Sequence, residues 1–317
     1  MGRKMWEDFL VCRKHPANPL LRPCDLPGPC MSVFNPGAIK HNGEYLLIAD
    51  VLSLQTKQFF WMARSPDGVK FRFDDAPLPW PRFEEDELRE FSVYDPRITP
   101  IDDGYVLTYA RHNKQGMTVG MARTRDFENF ELLPSGGQVR NRNGVLFPEK
   151  IGGKYVRLER PGDPAGRCAM GLSTSADLVH WADYREVMGT HTGWAGTKIG
   201  AGAVPIKTEK GWLCIYHGVK THPTNSIYRL GVCLLDLADP SRVVARGEDC
   251  ILWPEYDYEF VGRVPNVVFT CGAVVEADRS VKIYYGAADT CIGLAETHVD
   301  ALLEVCFTPN KFILQNR

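Results

Sequence analysis

The stretch DGYVLTYARH, residues 103–112, is rich in the β-branched and aromatic residues that favour strands, and it begins at an Asp-Gly turn. It is followed by MTVGMARTRDFENFELL, residues 117–133, which has the pattern of a strand, a polar turn and a further short strand. The same order returns in GGKYVRLERP, residues 152–161, and CAMGLSTSADLVHWADY, residues 168–184. A unit that recurs along the chain indicates a repeat architecture.

Three further units of this kind lie in residues 43–73, 210–245 and 280–297. Each unit has one apolar anchor in its best-defined strand, and these anchors are Tyr45, Tyr105, Tyr155, Trp212 and Ile283. Their unequal spacing is compatible with loops of different length between the units. The sequence therefore predicts an all-β protein, a single five-bladed β-propeller spanning residues 1–317.

A β-sandwich also consists of short strands and turns, and it is the alternative to the propeller. The polar turn that returns in successive units, with Asp177 in the place of Asp126, favours radial repetition. Residues 1–30, rich in Pro and Cys, are expected to form an N-terminal arm. The run ALLEVCFTPN, residues 301–310, is expected to return as a strand that closes the ring, since an open sheet edge invites aggregation.

Composition excludes several classes of function. The 317 residues carry 37 Lys and Arg against 39 Asp and Glu, and basic residues form no run that would hold a phosphate backbone, so nucleic acid is not an expected partner. No apolar stretch is long enough to span a membrane. The ten cysteines are scattered without metal-ligand spacing, which predicts reduced thiols, a cytoplasmic protein and no bound metal.

The innermost strands of a propeller converge on its axis, so polar residues that interrupt these strands are candidates for a central site. The candidates are Asn35, Arg64, Asp95, Arg97, Arg142, Glu149, Arg160, Lys198, His217, Tyr228 and Asp289. Cations outnumber acids among them, which implies an anionic ligand, because like charges that converge need a counter-charge. Arginine suits the planar oxygens of phosphate or carboxylate. For each arginine alone, a salt bridge between blades is the competing interpretation.

Asp95 in SVYDPRITP, residues 92–100, is the best single acid. Pro96 fixes the backbone after it, which suits a group that transfers a proton in one direction. A turn aspartate is the alternative. His217 lies in an apolar strand, where a satisfied core histidine is commoner than a catalytic base.

Five motifs taken in order resemble those of the glycoside phosphorylases of family GH130, which act on β-mannosides. They are VFNPGAI, YDPRIT, LFPEKIGGKYVRLERP, KIGAGAVPIKTEKGWLCIYHGV and YYGAADTCIGLA. The resemblance runs over nearly the whole chain and implies a five-bladed propeller. It also implies inverting phosphorolysis of a β-mannoside, such as β-1,4-mannosyl-glucose or a β-mannooligosaccharide, to α-mannose 1-phosphate and a shortened sugar. Inorganic phosphate is then a co-substrate, and no cofactor is expected.

The resemblance also implies the role of each site residue. Asp95 would be the catalytic acid, passing its proton through the sugar's 3-hydroxyl. The phosphate-binding residues would be Arg142, Arg160, Lys198, His217 and Tyr228. The residues that hold the sugar would be Asn35, Arg64, Arg97 and Asp289.

Two positions depart from the family pattern. Tyr94 stands before the acid where many relatives have Glu, and Glu159 stands before Arg160 where many have His. Alternation along the strand turns Glu159 away from Arg160. An inverting β-mannosidase with Glu149 or Glu159 as base remains an alternative, and so does a non-catalytic sugar-binding propeller. Whether the chain forms a homo-oligomer is left open.

Overall fold

The computed structural model describes residues 10–84, 92–134, 140–162, 168–191 and 193–308. Within these ranges the strands form five antiparallel sheets, each built mainly from consecutive strands, and the sheets are arranged as the five blades of a β-propeller. The predicted fold class and number of blades are confirmed. The predicted anchors of blades 1, 2, 3 and 5 lie in the second strand from the axis. The anchor of blade 4 lies in the long strand of residues 211–221, which has the corresponding position in its blade.

In blades 1 to 3 the strands follow the chain from the axis outward. Blade 1 contains β2 (Cys30–His41), β3 (Glu44–Ser53), β4 (Gln58–Ser65) and β5 (Arg72–Phe73). Blade 2 contains β6 (Ser92–Ile101), β7 (Gly104–Asn113), β8 (Gly116–Thr124) and β9 (Glu131–Leu133). Blade 3 contains β10 (Asn141–Leu146), β11 (Tyr155–Pro161), β12 (Met170–Ser175) and β13 (Ala182–Met188).

The last two blades differ slightly from this plan. Blade 4 contains β14 (Lys198–Ala201), β15 (Ile206–Thr208), β16 (Gly211–Thr221), β17 (Ser226–Leu235) and β18 (Val243–Arg246), and β14 and β15 both pair with β16. Blade 5 contains β19 (Val268–Val275), β20 (Ser280–Ala287), β21 (Cys291–His298) and β1 (Arg13–Lys14). Helix α1 (Asp257–Phe260) precedes blade 5, and helix α2 (Val299–Phe307) follows it.

The hydrophobic core is divided among the blade interfaces. One apolar cluster lies at each of the five junctions between neighbouring blades; Leu46, Phe60 and Leu107, for example, pack between blades 1 and 2. The central strands therefore bury both faces, which explains why they are nearly continuous apolar runs rather than alternating ones. A polar side chain in such a run has a buried environment and needs a partner there.

The ring is closed by the N-terminus. Strand β1 adds to the outer edge of blade 5 by pairing with β21, and Leu21 forms a further bridge to Ile292. Residues 11–21 of the predicted arm thus run along blade 5, whereas residues 1–9 lie outside the described residues. This mode of closure protects an edge that would otherwise be open.

The prediction of a closing strand in residues 301–310 was wrong. Helix α2 covers Val299–Phe307, and the side chain of His298 accepts a hydrogen bond from the Asp300 N–H at its start; residues 309 and 310 lie outside the described ranges. The buried residues Val299, Leu302, Leu303 and Cys306 follow the i, i+3, i+4, i+7 spacing of an amphipathic helix. That spacing is visible only when the segment is taken from residue 299.

The repeated polar turns are confirmed as a structural feature of blades 1 to 4. In each turn an aspartate accepts hydrogen bonds from backbone N–H groups two and three residues further on; the four residues are Asp67, Asp126, Asp177 and Asp236. Hydrogen bonds of this kind hold the pKa of Asp67 down to about 2, with those from the Lys70 and Val69 N–H groups foremost. These aspartates define turns and lie apart from any site.

The ten cysteines are all free thiols, as predicted, and six of them are buried. Among the described residues, no helix is both long and apolar enough to cross a membrane.

A buried ion pair attaches the closing strand to blade 5. Lys14 Nζ donates to Glu259 Oε2 (2.6 Å) and to the Trp253 carbonyl (2.7 Å), and both charged side chains are almost completely buried. Glu259 also accepts hydrogen bonds from the Tyr285 hydroxyl (2.8 Å) and from two backbone N–H groups.

Replacing Lys14 with Met should therefore lower the free energy of unfolding by about 3–5 kcal/mol, because Glu259 would keep a buried charge without its cation. Denaturant unfolding measures this loss. As a control, Lys154→Met removes an exposed pair with Asp183 (3.1 Å) and should cost less than about 0.5 kcal/mol. Equal effects of the two substitutions would contradict the closure described here.

Candidate functional site at the propeller axis

Three innermost strands share one irregularity near the axis. In β2, β6 and β10 the register with the next strand shifts so that two residues stand opposite one, which is a β-bulge. The two residues are Asn35 and Pro36, Asp95 and Pro96, and Asn143 and Gly144. The first residue of each bulge has a positive φ, of 43°, 55° and 54° respectively. Asn and Asp tolerate this left-handed conformation better than most residues, so the sequence is suited to bulges at these points.

The Asp95 carboxylate is buried and lies beside the bulge of the preceding blade. Its Oδ1 accepts a hydrogen bond from Asn35 Nδ2 (2.9 Å), and its side chain is 7% exposed. The bulge removes the Asp95 N–H from the regular ladder. That N–H instead donates to both carboxylate oxygens of Asp50 in blade 1, at 3.0 and 2.8 Å. Blades 1 and 2 are thus joined at the position of the predicted acid.

Asp50 was not among the predicted site residues. It is completely buried, and burial raises the pKa of its carboxyl well above the usual range, with the Asp95 charge raising it further. The signal was present in the sequence, because Asp50 is an acid within the apolar run YLLIADVLS. The same criterion that selected Asp95 would have selected it.

Asp289 brings a third carboxyl group to this region. It lies in the turn between β20 and β21 with φ of 47°, and its Oδ2 forms an ion pair with Arg263 at 4.0 Å. Burial raises the pKa of Asp289 to about 7; the Asp95 charge raises it as well, while Arg263 opposes the shift. Asn35, Asp95 and Asp289 therefore come together as predicted, and Asp50 lies behind them.

The predicted cations meet on strands of blades 3 and 4. Arg142 and Arg160 are directly opposite in the β10–β11 pair, and Arg160 Nη1 lies 2.9 Å from His217 Nε2. Guanidinium only donates hydrogen bonds, so His217 Nε2 is the acceptor and the imidazole is neutral. Burial lowers the pKa of His217 well below its usual value, and the Arg160 charge lowers it further. His217 thus orients Arg160 and has no free lone pair at Nε2 for use as a base.

Lys198 and Tyr228 belong to the same cluster. The charge of Lys198 is one of those that depress the pKa of His217, and the ring of Tyr228 stacks on His217 with centroids 6.4 Å apart. Burial raises the pKa of the Tyr228 hydroxyl, opposed by the nearby charges of Arg160 and Arg142. Within the described part of the chain, the side chains of Arg142 and Lys198 have no hydrogen-bond or ion-pair partner. These cations therefore remain available to an anion.

Arg64 does not join the cluster, which corrects the expectation that it holds the sugar. It lies opposite Leu46 near the β2–β3 turn, several residues along the blade from the Asn35 bulge. Its guanidinium pairs with Asp74 (2.9 Å) and approaches Glu44 (3.6 Å). The salt-bridge interpretation applies to this arginine.

Arg97 lies at the axis, but its guanidinium is fully buried and engaged with backbone. It donates to the Asp95 carbonyl (2.6 Å), to the Gly202 carbonyl (3.1 Å) and to the Ala201 carbonyl (3.5 Å). It thereby links the bulge of blade 2 to blade 4. This arrangement corrects the expectation that Arg97 holds the sugar, because its side chain supports the Asp95 backbone instead.

The two glutamates considered as bases are both engaged elsewhere. Glu159 is buried and accepts hydrogen bonds from Arg157 (2.6 Å) and from the Ser173 hydroxyl (2.6 Å), on the strand face opposite Arg160. Glu149 is half exposed and pairs with Lys207 at 2.7 Å. Tyr94, the other departure from the family pattern, places its hydroxyl 3.2 Å from His112 Nε2. Neither glutamate faces the cationic cluster.

Fold and site together define a five-bladed propeller that holds a buried acid and a cluster of cations, of which Arg142 and Lys198 have no side-chain partner in the part of the chain that the structure describes. The family model described as beta-1,4-mannooligosaccharide phosphorylase, of the glycoside hydrolase family 130, matches residues 18–308. The chain therefore belongs to this family.

Named relatives agree with this assignment. The beta-1,4-mannooligosaccharide phosphorylase of Ruminococcus albus is 36% identical over 304 residues, which cover 93% of this chain and 90% of the relative. The 4-O-beta-D-mannosyl-D-glucose phosphorylase of Bacteroides fragilis is 33% identical and covers 87% and 75% respectively. The solved structure of beta-1,2-mannobiose phosphorylase from Listeria innocua, in complex with beta-1,2-mannobiose, has a TM-score of 0.85 at 30% identity and covers 93% of this chain and 99% of that one.

Asp50 should stabilise the folded protein because it accepts the hydrogen bond of the buried Asp95 N–H. An Asp50→Leu variant leaves that buried donor without its acceptor and should lose about 1–3 kcal/mol of unfolding free energy in urea titrations. Asp50→Asn keeps one oxygen acceptor and should lose less. If the two variants were as stable as the parent, the hydrogen bond between blades 1 and 2 would have no energetic importance.

Asp289 should make stability depend on pH. Its pKa is about 7 in the folded chain against an ordinary value of 3.8, so between these values the folded protein retains a proton that the unfolded chain releases. Parent stability should therefore fall as pH rises through this window. The melting temperature of Asp289→Asn minus that of the parent should increase from pH 4 to about pH 7 and then level off.

Asp278→Asn is the matched control. Hydrogen bonds from Ser280 lower the pKa of Asp278, so its ionised form stabilises the fold and that contribution is lost as pH falls through the lowered folded-state pKa. At neutral pH this variant should be no more stable than the parent. A pH-independent difference for Asp289→Asn would show that its carboxyl does not titrate as described.

Proposed function

We propose that this protein is an inverting β-mannoside phosphorylase that converts a β-mannoside and inorganic phosphate into α-mannose 1-phosphate and a shortened sugar. The observation that carries the proposal is the buried Asp95 carboxylate beside a cluster in which Arg142 and Lys198 have no partner in the described chain. Family membership and the names of the relatives support the same reaction.

The proposed acid is Asp95. Its backbone is fixed by Pro96 and by the hydrogen bond to Asp50, and its carboxylate is oriented by Asn35. A group held in this way needs little reorganisation before it transfers a proton. Asp95 would supply the proton that the glycosidic oxygen takes when the bond to the anomeric carbon breaks, directly or through the sugar's 3-hydroxyl.

The proposed nucleophile is phosphate, held by Arg142, Arg160 and Lys198. One phosphate oxygen forms the new bond to the anomeric carbon from the face opposite the leaving oxygen, which inverts the configuration. An inverting hydrolase needs a second carboxylate about 6.5–9.5 Å from the acid to activate water. Phosphate is already an anion and needs no such base; it needs neutralisation and alignment, which charge-assisted hydrogen bonds provide.

His217 and Tyr228 would set the geometry of the phosphate site. His217 fixes Arg160 by accepting its hydrogen bond, and the stacked Tyr228 ring places a hydroxyl beside the same cations. Asn35 and Asp289 would hold hydroxyl groups of the mannose. Arg64 has no part in this proposed site, and Arg97 supports the Asp95 backbone rather than binding the sugar.

The mannosidase alternative is less well supported. Glu159 is bound to Arg157 and Ser173, and Glu149 lies on the surface with Lys207, so neither of the glutamates proposed as base is placed to activate water beside Asp95. We propose that the reaction needs no cofactor besides phosphate as co-substrate. The free thiols support a reducing compartment, and the cytoplasm is the one we propose.

The first test is the requirement for phosphate. The protein is incubated with β-1,4-mannobiose, β-1,2-mannobiose and β-1,4-mannosyl-glucose, with and without inorganic phosphate, and mannose 1-phosphate and free mannose are measured. We expect mannose 1-phosphate from at least one of them, and only with phosphate present. Free mannose at the same rate without phosphate would overturn the proposal in favour of hydrolysis.

Substitutions should separate the two halves of the site. Asp95→Asn should lower kcat by about 10²–10⁴ because the general acid is lost. Lys198→Gln should chiefly raise the KM for phosphate, while Lys207→Gln, whose cation pairs with Glu149 on the surface, should change neither constant. An unchanged phosphate KM in Lys198→Gln would remove Lys198 from the site.

A further inference from the structure

A second cationic cavity lies on the back of the strands that carry His217 and Tyr228. In an antiparallel pair, residues directly opposite each other share a face, and successive residues alternate between faces. Val219 pairs with Tyr228, so His217 and Tyr228 share one face of β16 and β17. Gly218 pairs with Arg229, so Arg229 and Lys220 point to the other face.

The cavity on that other face has a volume of about 910 Å³ and is termed here the blade 4 cavity. Its principal lining residues are His191, Trp194, Lys220, Arg229, Arg246 and Cys250. Its volume is within the roughly 300–1,000 Å³ typical of small-molecule sites. It is far larger than a single inorganic anion requires.

Trp194 is fixed against the sheet by local sequence. A Cβ atom at Gly218 or Gly231 would come within 2.3 and 2.6 Å of its ring, so the two glycines let the indole lie directly on the strands. The ring also stacks on Tyr216, with centroids 5.7 Å apart, and its N–H donates to the Glu248 carbonyl (3.0 Å). Held on one side by the sheet, the partly exposed indole lines the cavity as a flat apolar surface.

Three half-buried cations line the same cavity as this ring, namely Lys220, Arg229 and Arg246. Arg246 is fixed by donating to the Tyr216 hydroxyl (3.1 Å) and to the Gly189 carbonyl (3.2 Å), yet its Nη2 is buried without a partner. Lys220 and Arg229 have no hydrogen-bond or ion-pair partner among the residues that the structure describes. A buried donor without an acceptor is costly, and half-buried cations without partners are available to a ligand that supplies oxygen atoms.

Two acids also line the cavity and limit its positive charge. Glu248 is exposed, and Asp249 already interacts with another group of the protein. Three cations against two acids leave the cavity suited to one compact anionic group rather than to a polyanion. The flat indole surface suits an uncharged ring attached to that group.

We propose that the blade 4 cavity binds a phosphorylated sugar, with the phosphate on Lys220, Arg229 and Arg246 and the sugar ring on Trp194. Cations with several donors favour phosphate oxygens, and the faces of sugar rings pack well on indole. This site lies on the opposite face of blade 4 from the proposed phosphate site. It does not depend on whether the axis carries out phosphorolysis.

The test is a calorimetric titration with glucose 6-phosphate of the Arg142→Gln/Lys198→Gln protein, in which the proposed phosphate site at the axis is disabled. We expect one binding step, weakened at least tenfold by adding Lys220→Gln and Arg229→Gln. Trp194→Ala should also weaken binding of glucose 6-phosphate, and inorganic phosphate alone should bind at least tenfold more weakly than the sugar phosphate. If the double background variant does not fold, the same titrations of the parent should show a binding step that Lys220→Gln/Arg229→Gln removes.

Arg185→Gln is the matched control, because Arg185 is an exposed cation of blade 3 that pairs with Asp239 (3.3 Å) outside the cavity. It should leave the titration unchanged. No binding of glucose 6-phosphate at millimolar concentration, or binding that is insensitive to Lys220 and Arg229, would overturn the proposal. Tighter binding of AMP than of glucose 6-phosphate would overturn the assignment to a sugar. All of these titrations measure binding rather than turnover, so their outcome does not depend on whether the axial site has phosphorolytic activity.

Discussion

The hydrogen bond from the Asp95 N–H to the Asp50 carboxylate is the interaction on which the central site depends. A bulge turns the Asp95 backbone into a left-handed conformation and takes its N–H out of the ladder, which is unfavourable in a buried strand unless another acceptor is provided. Asp50 of the neighbouring blade provides it, and Arg97 binds the Asp95 carbonyl from the other side. The acid is therefore held by its backbone as well as by its side chain.

Equivalent positions of different blades carry opposite charges. Asp50 in blade 1 and Arg160 in blade 3 both stand opposite the residue that precedes the bulge, namely Phe34 and Arg142. Repetition of one strand pair around an axis thus places an acid on one side of the centre and a cation on the other. On the acidic side, burial raises the pKa of Asp50 and of Asp289, and the Asp95 charge raises both further. On the cationic side, the side chains of Arg142 and Lys198 have no partner among the described residues. A sugar bound between a proton donor and an anionic nucleophile fits that division.

The fold could be predicted from the sequence because the blades repeat the same order of strands, with a polar turn in four of the five. Asp95 could be selected as a candidate because it interrupts an apolar strand immediately before Pro96. The prediction for Arg64, which interrupts a strand just as Asp95 does, was wrong. Only the register of Arg64 with β3 shows that this arginine lies away from the axis. The burial of Arg97 rules out a sugar contact, and two of its three partners are carbonyls of a distant blade that sequence spacing cannot reveal. The helix of residues 299–307 was not predicted because its apolar spacing begins at Val299, two residues before the run ALLEVCFTPN of residues 301–310.

In the proposed reaction phosphate, rather than water, attacks a mannoside whose leaving oxygen faces Asp95. Running the reaction in H₂¹⁸O with phosphate present, and determining the anomeric configuration and isotope content of the product by NMR and mass spectrometry, distinguishes the two nucleophiles. We predict α-mannose 1-phosphate without ¹⁸O. Free mannose carrying ¹⁸O at its anomeric carbon, formed enzymatically in place of the phosphate ester, would contradict this prediction.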